Sequence, residues 1–304
     1  MIICDRIDLL KQWCGAIEKF TSATFQYIEP SDTLTPNIDF YLMNALNVSK
    51  VPRITYKNIG LVIVDECHSI MAEQISKCMT YLFPRYVIGL SATAYRPDSL
   101  DKLFDFYFGT NKVYRKLERE HIVYKINTGL TPTVQFNGNG IIWDSVLSFQ
   151  SEDVQRNEMI INIIKEYRDR VFLVLCPRVI QSTYLVRRLQ EEHESVTSFV
   201  GSQRTYDETA RIIIATDKKC GKGFDHPRLN ALILGTDMCG ADPEKNEGTK
   251  EGYFIQIIGR IFRTPDNAII PIVFDLVDNH SLLEKHFKVR EAVYLEAKGR
   301  ITVH

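Results

Sequence analysis

Apolar residues in this 304-residue chain fall into two alternating kinds of segment. The short runs MIIC, IGLVIV, YVIGL, VFLVLC, RIIIAT, NALILG and AIIPIVF are continuous rather than alternating. That is the pattern of strands covered on both faces. Between them, apolar residues recur at helical spacing in IDLLKQWCGAIEKF, AEQISKCMTYLF, VIQSTYLVRRLQEEH, YFIQIIGRIFRT and SLLEKHFKVREAVYLEA, which predicts amphipathic helices. Strand–helix alternation of this kind predicts an α/β fold built on mainly parallel sheets. One stretch breaks the rhythm: TGLTPTVQFNGNGIIWDSVLSFQS, residues 128–151, holds Gly, Pro and Asn without helical period. The expected division is a first α/β domain over 1–127, an inter-domain passage over 128–155 and a second α/β domain over 156–304. No internal repeat of sequence is visible.

Composition narrows the function. With 45% hydrophobic and 25% charged residues the chain is an ordinary globular protein. Its net charge of −1 supplies no global basic field, so any nucleic-acid contact must come from a local groove. The seven cysteines are scattered, with no C-x-x-C pair, which points to reduced thiols rather than a disulfide frame or a zinc site. No apolar run is long enough to span a bilayer, and MIICDRIDLL has no signal-peptide shape. The expected location is cytoplasmic, with no membrane partner.

The candidate chemistry lies at strand ends. LVIVDECHSI drives an apolar strand into Asp65 and Glu66, with His68 two steps on. Open parallel sheets bind ligands beyond the carboxyl ends of their strands. There one carboxylate can hold Mg²⁺ through water while its neighbour orients an attacking water, the two tasks of phosphate-ester hydrolysis. GLSAT places the short hydroxyls of Ser91 and Thr93 after the next strand. In YFIQIIGRIFRT, Gln256, Arg260 and Arg263 stand at i, i+4 and i+7, one face of a helix, with Gly259 allowing close backbone approach. Arginines so placed can neutralise a γ-phosphate. Gly221, Lys222 and Gly223 offer an anion-binding turn after Thr216, and Arg178 sits where a strand gives way to a helix. Singly, each is also what an ordinary polar turn or a solvated cationic face looks like.

In order along the chain these segments resemble the superfamily 2 helicases. DECH is similar to motif II, Ser91-Ala92-Thr93 to motif III, LVLCPRV to motif IV, IIIATDKKCGKGFDHP to motif V and QIIGRIFR to motif VI. MIICDRIDLLKQW resembles motif Ia, with Cys4-Asp5-Arg6 where Pro-Thr is commoner. DFYLMNALNVSKVPRITYKNIGLVIVDECHSI and the ending DLVDNHSLLEKHFKVREAVY resemble the repair- and transcription-type helicases of large DNA viruses and phages. The resemblance covers nearly the whole chain.

It implies a nucleic-acid-dependent ATPase of two RecA-like domains, using ATP and Mg²⁺ and acting on DNA or RNA, with transcription or repair machinery as further partners. By the same carry-over Asp65 coordinates Mg²⁺ through water and Glu66 positions the hydrolytic water. His68, Ser91 and Thr93 couple nucleotide state to domain closure. Gln256, Arg260 and Arg263 contact the phosphates, and Gly223 and Asp225 face the nucleotide. Arg6, Arg178, Thr216 and Lys222 contact the nucleic-acid backbone.

The family also uses a phosphate-binding loop, G-x-x-x-x-G-K-[ST], and none occurs in these 304 residues. In the family that loop precedes motif Ia, where this chain starts. The expectation is an N-terminally truncated helicase, deficient in ATP turnover alone, with a separate N-terminal segment as the source of the loop. The competing expectations are a catalytically silent nucleic-acid-binding or regulatory module that keeps the fold, and the motor segment of a larger restriction or remodelling enzyme.

Overall fold

The computed structural model describes residues 1–67, 76–91, 101–138, 140–220, 224, 226–238, 248–266 and 268–304, with only the backbone described at 101–103, 218 and 248–252. The chain divides into two compact units, Met1–Tyr114 and Arg115–His304.

In the first unit five parallel strands, β1 (Ile2–Cys4), β2 (Phe25–Ile28), β3 (Phe40–Asn44), β4 (Leu61–Val64) and β5 (Tyr86–Gly89), pair in the order β2-β3-β1-β4-β5. Alternate residues of β1 enter different cores. Ile2 and Cys4 pack with Leu9, Leu10 and Ile17 of the helix Ile7–Phe20, whereas Ile3 joins Met43, Val62 and Val64 on the opposite face. A strand buried on both sides reads as an unbroken apolar run for this reason.

The second unit holds a seven-stranded sheet. Its members are β6 (His121–Asn127), β9 (Phe172–Leu175), β10 (Val196–Phe199), β11 (Ile212–Ala215), β12 (Ala231–Leu234), β13 (Ile272–Val277) and β14 (Gly299–Val303). They are parallel throughout, in the order β10-β11-β9-β12-β13-β6-β14. A two-residue ladder, β7 (Phe136–Asn137) with β8 (Gly140–Ile141), stands apart. Burying both faces of β9, β11, β12 and β13 gives this unit two cores, with Leu173 and Leu175 in one and Phe172 and Val174 in the other.

Two expectations need correction. The boundary falls between Tyr114 and Arg115 rather than after 127, because β6 is a member of the second sheet, hydrogen-bonded between β13 and β14. The supposed passage over 128–155 is also part of that unit and contains the helix Trp143–Glu152. Its periodicity is concealed because Gln150 and Ser151, which are polar, occupy buried positions beside Val146. Gln150 holds its place through hydrogen bonds: its amide donates to Asp278 Oδ2 at 2.6 Å, and its carbonyl oxygen accepts from the Asp237 backbone N–H at 2.9 Å.

Candidate nucleotide and nucleic-acid site

Asp65 begins the turn that leaves β4. Its backbone N–H donates to the Ile3 carbonyl at 2.9 Å, so the β1–β4 ladder runs one residue past the strand and fixes where the carboxylate stands. Trp13, from the helix Ile7–Phe20, donates its indole N–H to Asp65 Oδ2 at 2.9 Å, and the Glu66 backbone N–H donates to Oδ1 at 2.9 Å. Burial pushes the Asp65 carboxyl up, and these two donors act against that rise. Burial together with the Asp65 charge pushes the neighbouring Cys4 thiol up as well.

Glu66 lies in the left-handed region at φ 49°, which costs an ordinary side chain about 1–2 kcal/mol. The strain is held by the next residue, whose backbone N–H donates to the Leu90 carbonyl at 2.9 Å and ties the turn to the end of β5. A Cβ on Gly89 would stand 3.0 Å from the Phe108 ring and 3.1 Å from Cys67 Sγ, so the strand reaches this turn closely only because that residue is glycine. Ser91 follows at once, half-buried. Arg6 is exposed beyond β1, at the N-cap position of the helix Ile7–Phe20. His68 and Thr93 lie outside the described residues.

Whether Mg²⁺ suits this turn is decided by the donor set. A carboxylate has about four lone-pair sites, and Asp65 uses two among the described residues. No group of three or more His, Cys, Asp or Glu placed to hold a metal occurs among the described residues. Mg²⁺ is ordinarily held by one or two carboxylates plus waters and substrate phosphates, so a single half-used carboxylate at a strand end fits it, and a fully protein-caged ion does not.

In the second unit the expected arginine helix is two elements. The α-helix Gly248–Ile258 tightens into a 3₁₀ turn, Gly259–Arg263. The i, i+4, i+7 register of a single α-helix therefore does not extend across all three polar residues. Gln256 is half-buried, Arg263 is exposed, and Arg260 is buried with its guanidinium donating to the Phe224 carbonyl. Thus Arg260 points into the segment that follows β11. A Cβ on Gly259 would run into the end of the Leu117 side chain at 2.2 Å, so the close approach expected here is to Leu117.

Thr216 directly follows β11, and its carbonyl accepts from the backbone N–H groups of Lys219 and Cys220 at 3.0 Å each. Arg178 stands after β9 at the N-cap position of the helix Val179–Glu191, and its guanidinium is ion-paired with Asp144. Asp144 is largely exposed, and such a pair is worth about 0–1 kcal/mol, little hindrance to exchange for a phosphate. Lys222, Gly223 and Asp225 lie outside the described residues.

Sequence reasoning missed a buried charge network at the carboxyl ends of β12 and β13. Arg290 grips Asp275 through two bonds of 2.8 Å and donates to Asp237 Oδ1 at 2.7 Å, while His286 Nδ1 stands 2.5 Å from Asp237 Oδ2. Tyr294 adds a bond to Asp275 Oδ2 at 2.9 Å. Burial acts to raise the Asp237 carboxyl, yet the Arg290 guanidinium and the His286 contact hold it below its usual range. Beside it, fully buried Arg156 pairs with Asp278 at 3.1 Å. The available signal was charge inside apolar patterning: Asp275 within IVFDLV, and Arg290 on the buried stripe of its helix.

Residues 1–96 match the family described as Type III restriction enzyme, res subunit. A protein named as a helicase, 161L of Invertebrate iridescent virus 6, is 33% identical over 98% of this chain and 71% of its own length. The chain belongs to the superfamily 2 helicases. A second viral protein named as a helicase, 055L of Frog virus 3, is 28% identical over 98% of this chain and 67% of its own. Among solved structures, S. cerevisiae Dbp5 bound to RNA and ADP BeF3 matches all of this chain and 77% of that one with a TM-score of 0.63 at 14% identity. That likeness is one of fold, and it makes both units of this helicase chain RecA-like.

Proposed function

We propose that the chain is the motor core of a helicase or translocase that couples ATP hydrolysis to movement along DNA or RNA. The observation that carries this reading is the Asp65–Glu66 turn: a half-used carboxylate and a strained neighbour, clamped at the carboxyl end of β4 by Trp13 on one side and the Leu90 carbonyl on the other. Asp65 would anchor Mg²⁺ through water, and the ion when bound would draw charge from the phosphates. Glu66 takes the role of orienting and deprotonating the attacking water. Gln256, Arg260 and Arg263 serve the phosphates, with His68, Ser91 and Thr93 as the coupling residues. Gly223 and Asp225 face the nucleotide. Arg6, Arg178, Thr216 and Lys222 hold the nucleic-acid backbone, a mode that carries little base information and suits either polymer.

These 304 residues contain no G-x-x-x-x-G-K-[ST], hence no amide cradle and no lysine for the β- and γ-phosphates. The expected result is therefore little or no ATP turnover by the purified chain, with or without nucleic acid, and turnover once a phosphate-binding segment is supplied. In that supplemented protein Arg260→Ala and Arg263→Ala should abolish hydrolysis and leave strand binding in place. Robust nucleic-acid-stimulated hydrolysis by the chain alone would refute the first expectation, and normal turnover in both variants the placing of the arginines. The same missing loop favours a second reading, a silent nucleic-acid-binding module. It gains if strand affinity is identical with and without ATP and Mg²⁺ in the supplemented protein.

A further inference from the structure

At the opposite end of β4 and β5 from the acidic turn lies a surface that none of these roles uses. Leu61 pairs with Tyr86, and the Tyr86 backbone N–H donates to the Gly60 carbonyl at 3.0 Å, so the segments leading into the two strands meet there. Each carries a 3₁₀ turn, Arg53–Tyr56 and Lys77–Tyr81. The Arg53 guanidinium donates to the Thr80 carbonyl and lies 5.3 Å from the Tyr81 ring centre and 5.0 Å from that of Phe83. The Arg85 guanidinium lies 5.3 Å from the centre of the Tyr86 ring. Phe83 is 64% exposed and Tyr86 59%. Arg53, Lys57, Lys77 and Arg85 are all exposed, and none pairs with a carboxylate among the described residues. Residues 50–64 and 76–91 contain no Asp or Glu. In a chain of net charge −1 this is a local concentration of cations interleaved with open aromatic rings.

We infer that this face, Arg53, Lys57, Lys77, Phe83, Arg85 and Tyr86, is a second docking surface for single-stranded nucleic acid. Cations lying on or beside ring faces hold phosphates, while exposed rings accept stacked bases irrespective of sequence. An acidic peptide would use the cations and leave the rings idle, which is why a polynucleotide is the better match. The surface is separate from Arg6 and Asp65, which stand at the other end of the same sheet, about 10 Å away along β4. It does not depend on whether the acidic turn hydrolyses ATP.

The test uses the whole 304-residue chain without nucleotide. A 15-mer of deoxythymidine carrying 5-iododeoxyuridine is photo-crosslinked and mapped by mass spectrometry, and its affinity is followed by fluorescence anisotropy at two salt concentrations. Crosslinks at Phe83 or Tyr86 are expected, and they should persist in an Arg6→Ala, Arg178→Ala variant. Phe83→Ala with Tyr86→Ala should weaken binding about tenfold. Lys57→Glu with Lys77→Glu should flatten the salt dependence by about two phosphate contacts. All four positions are exposed, and the crosslink on the unmutated chain does not depend on the folding of any variant. Absence of that crosslink, or unchanged affinity in both double variants, overturns the inference. So does polyglutamate displacing the oligonucleotide as well as unlabelled oligodeoxythymidine does, an outcome that marks a protein-binding face.

Discussion

His121 shows how far one residue's chemistry depends on its seat. It is 2% exposed, its Nδ1 lies 2.7 Å from the Arg119 carbonyl, and its Nε2 meets no hydrogen-bond partner among the described residues. Burial pushes its pKa down, so the folded chain holds the neutral ring while the unfolded chain titrates normally near 6.5. The sign follows: stability contributed by this group is complete above about pH 6.5 and is lost as pH falls from there through the lower folded value. Urea denaturation at pH 7.5 and 5.5 should show that loss, and His121→Asn, which keeps a donor for the Arg119 carbonyl, should reduce the difference. Arg290 is the other residue to test. Removing its guanidinium with Arg290→Met leaves Asp237 and Asp275 buried together, which should cost about 3–5 kcal/mol and appear as a clear drop in Tm. The role of His121 was not legible in the sequence, where a histidine opening a strand looks like a surface residue; Arg290 left one signal, a charge on the buried stripe of its helix. Asp65 and Glu66 were legible as candidates because two adjacent carboxylates end an apolar run.

Strands buried along their whole length were recovered, at least in part. The helix Ile7–Phe20 coincides with the predicted IDLLKQWCGAIEKF, and β4, β9, β11 and β12 fall inside predicted runs. The half-exposed edge strands β2, β10 and β14, which carry Gln, Thr, Ser or Arg, went unread, and so did β3 and β6, which lie inside their sheets but have mixed burial; the edge strand β5 was read in YVIGL. The arginine helix is the instructive middle case: its apolar spacing is helical, but the change to 3₁₀ geometry at Gly259 depends on what it packs against. Gly89 carries the prediction at this scale. Gly89→Ala would press a methyl against the Phe108 ring and Cys67 Sγ and should destabilise the first unit by about 1–3 kcal/mol, measured as a shift in its melting transition. An unchanged melt would mean that β5 and the DECH turn can separate without penalty.

For the whole molecule, the informative strand is β6. It lies between β13 and β14, so a fragment cut at the boundary expected from sequence loses an interior strand of the second sheet. Residues 115–304 should therefore fold alone with a cooperative thermal transition by circular dichroism, whereas 156–304 should not. Equal cooperativity in both fragments would show that β6 is dispensable and that the contact-defined boundary has no energetic meaning. No described helix is long and apolar enough to cross a membrane.

What the sequence determined by itself is the class of architecture and the order of the candidate motifs, because continuous apolar runs, helical spacing and carboxylates at strand ends are local properties of the chain. Tertiary structure alone decided which sheet β6 joins, that Arg260 turns inward to the Phe224 carbonyl, and that Asp237 and Asp275 share the Arg290 guanidinium out of water. Each of these depends on partners apart in sequence, by 15 residues for Asp275 and Arg290, 36 for Phe224 and Arg260 and 53 for Asp237 and Arg290. Residue spacing does not encode the strand pairing or the buried charge balance that select such partners.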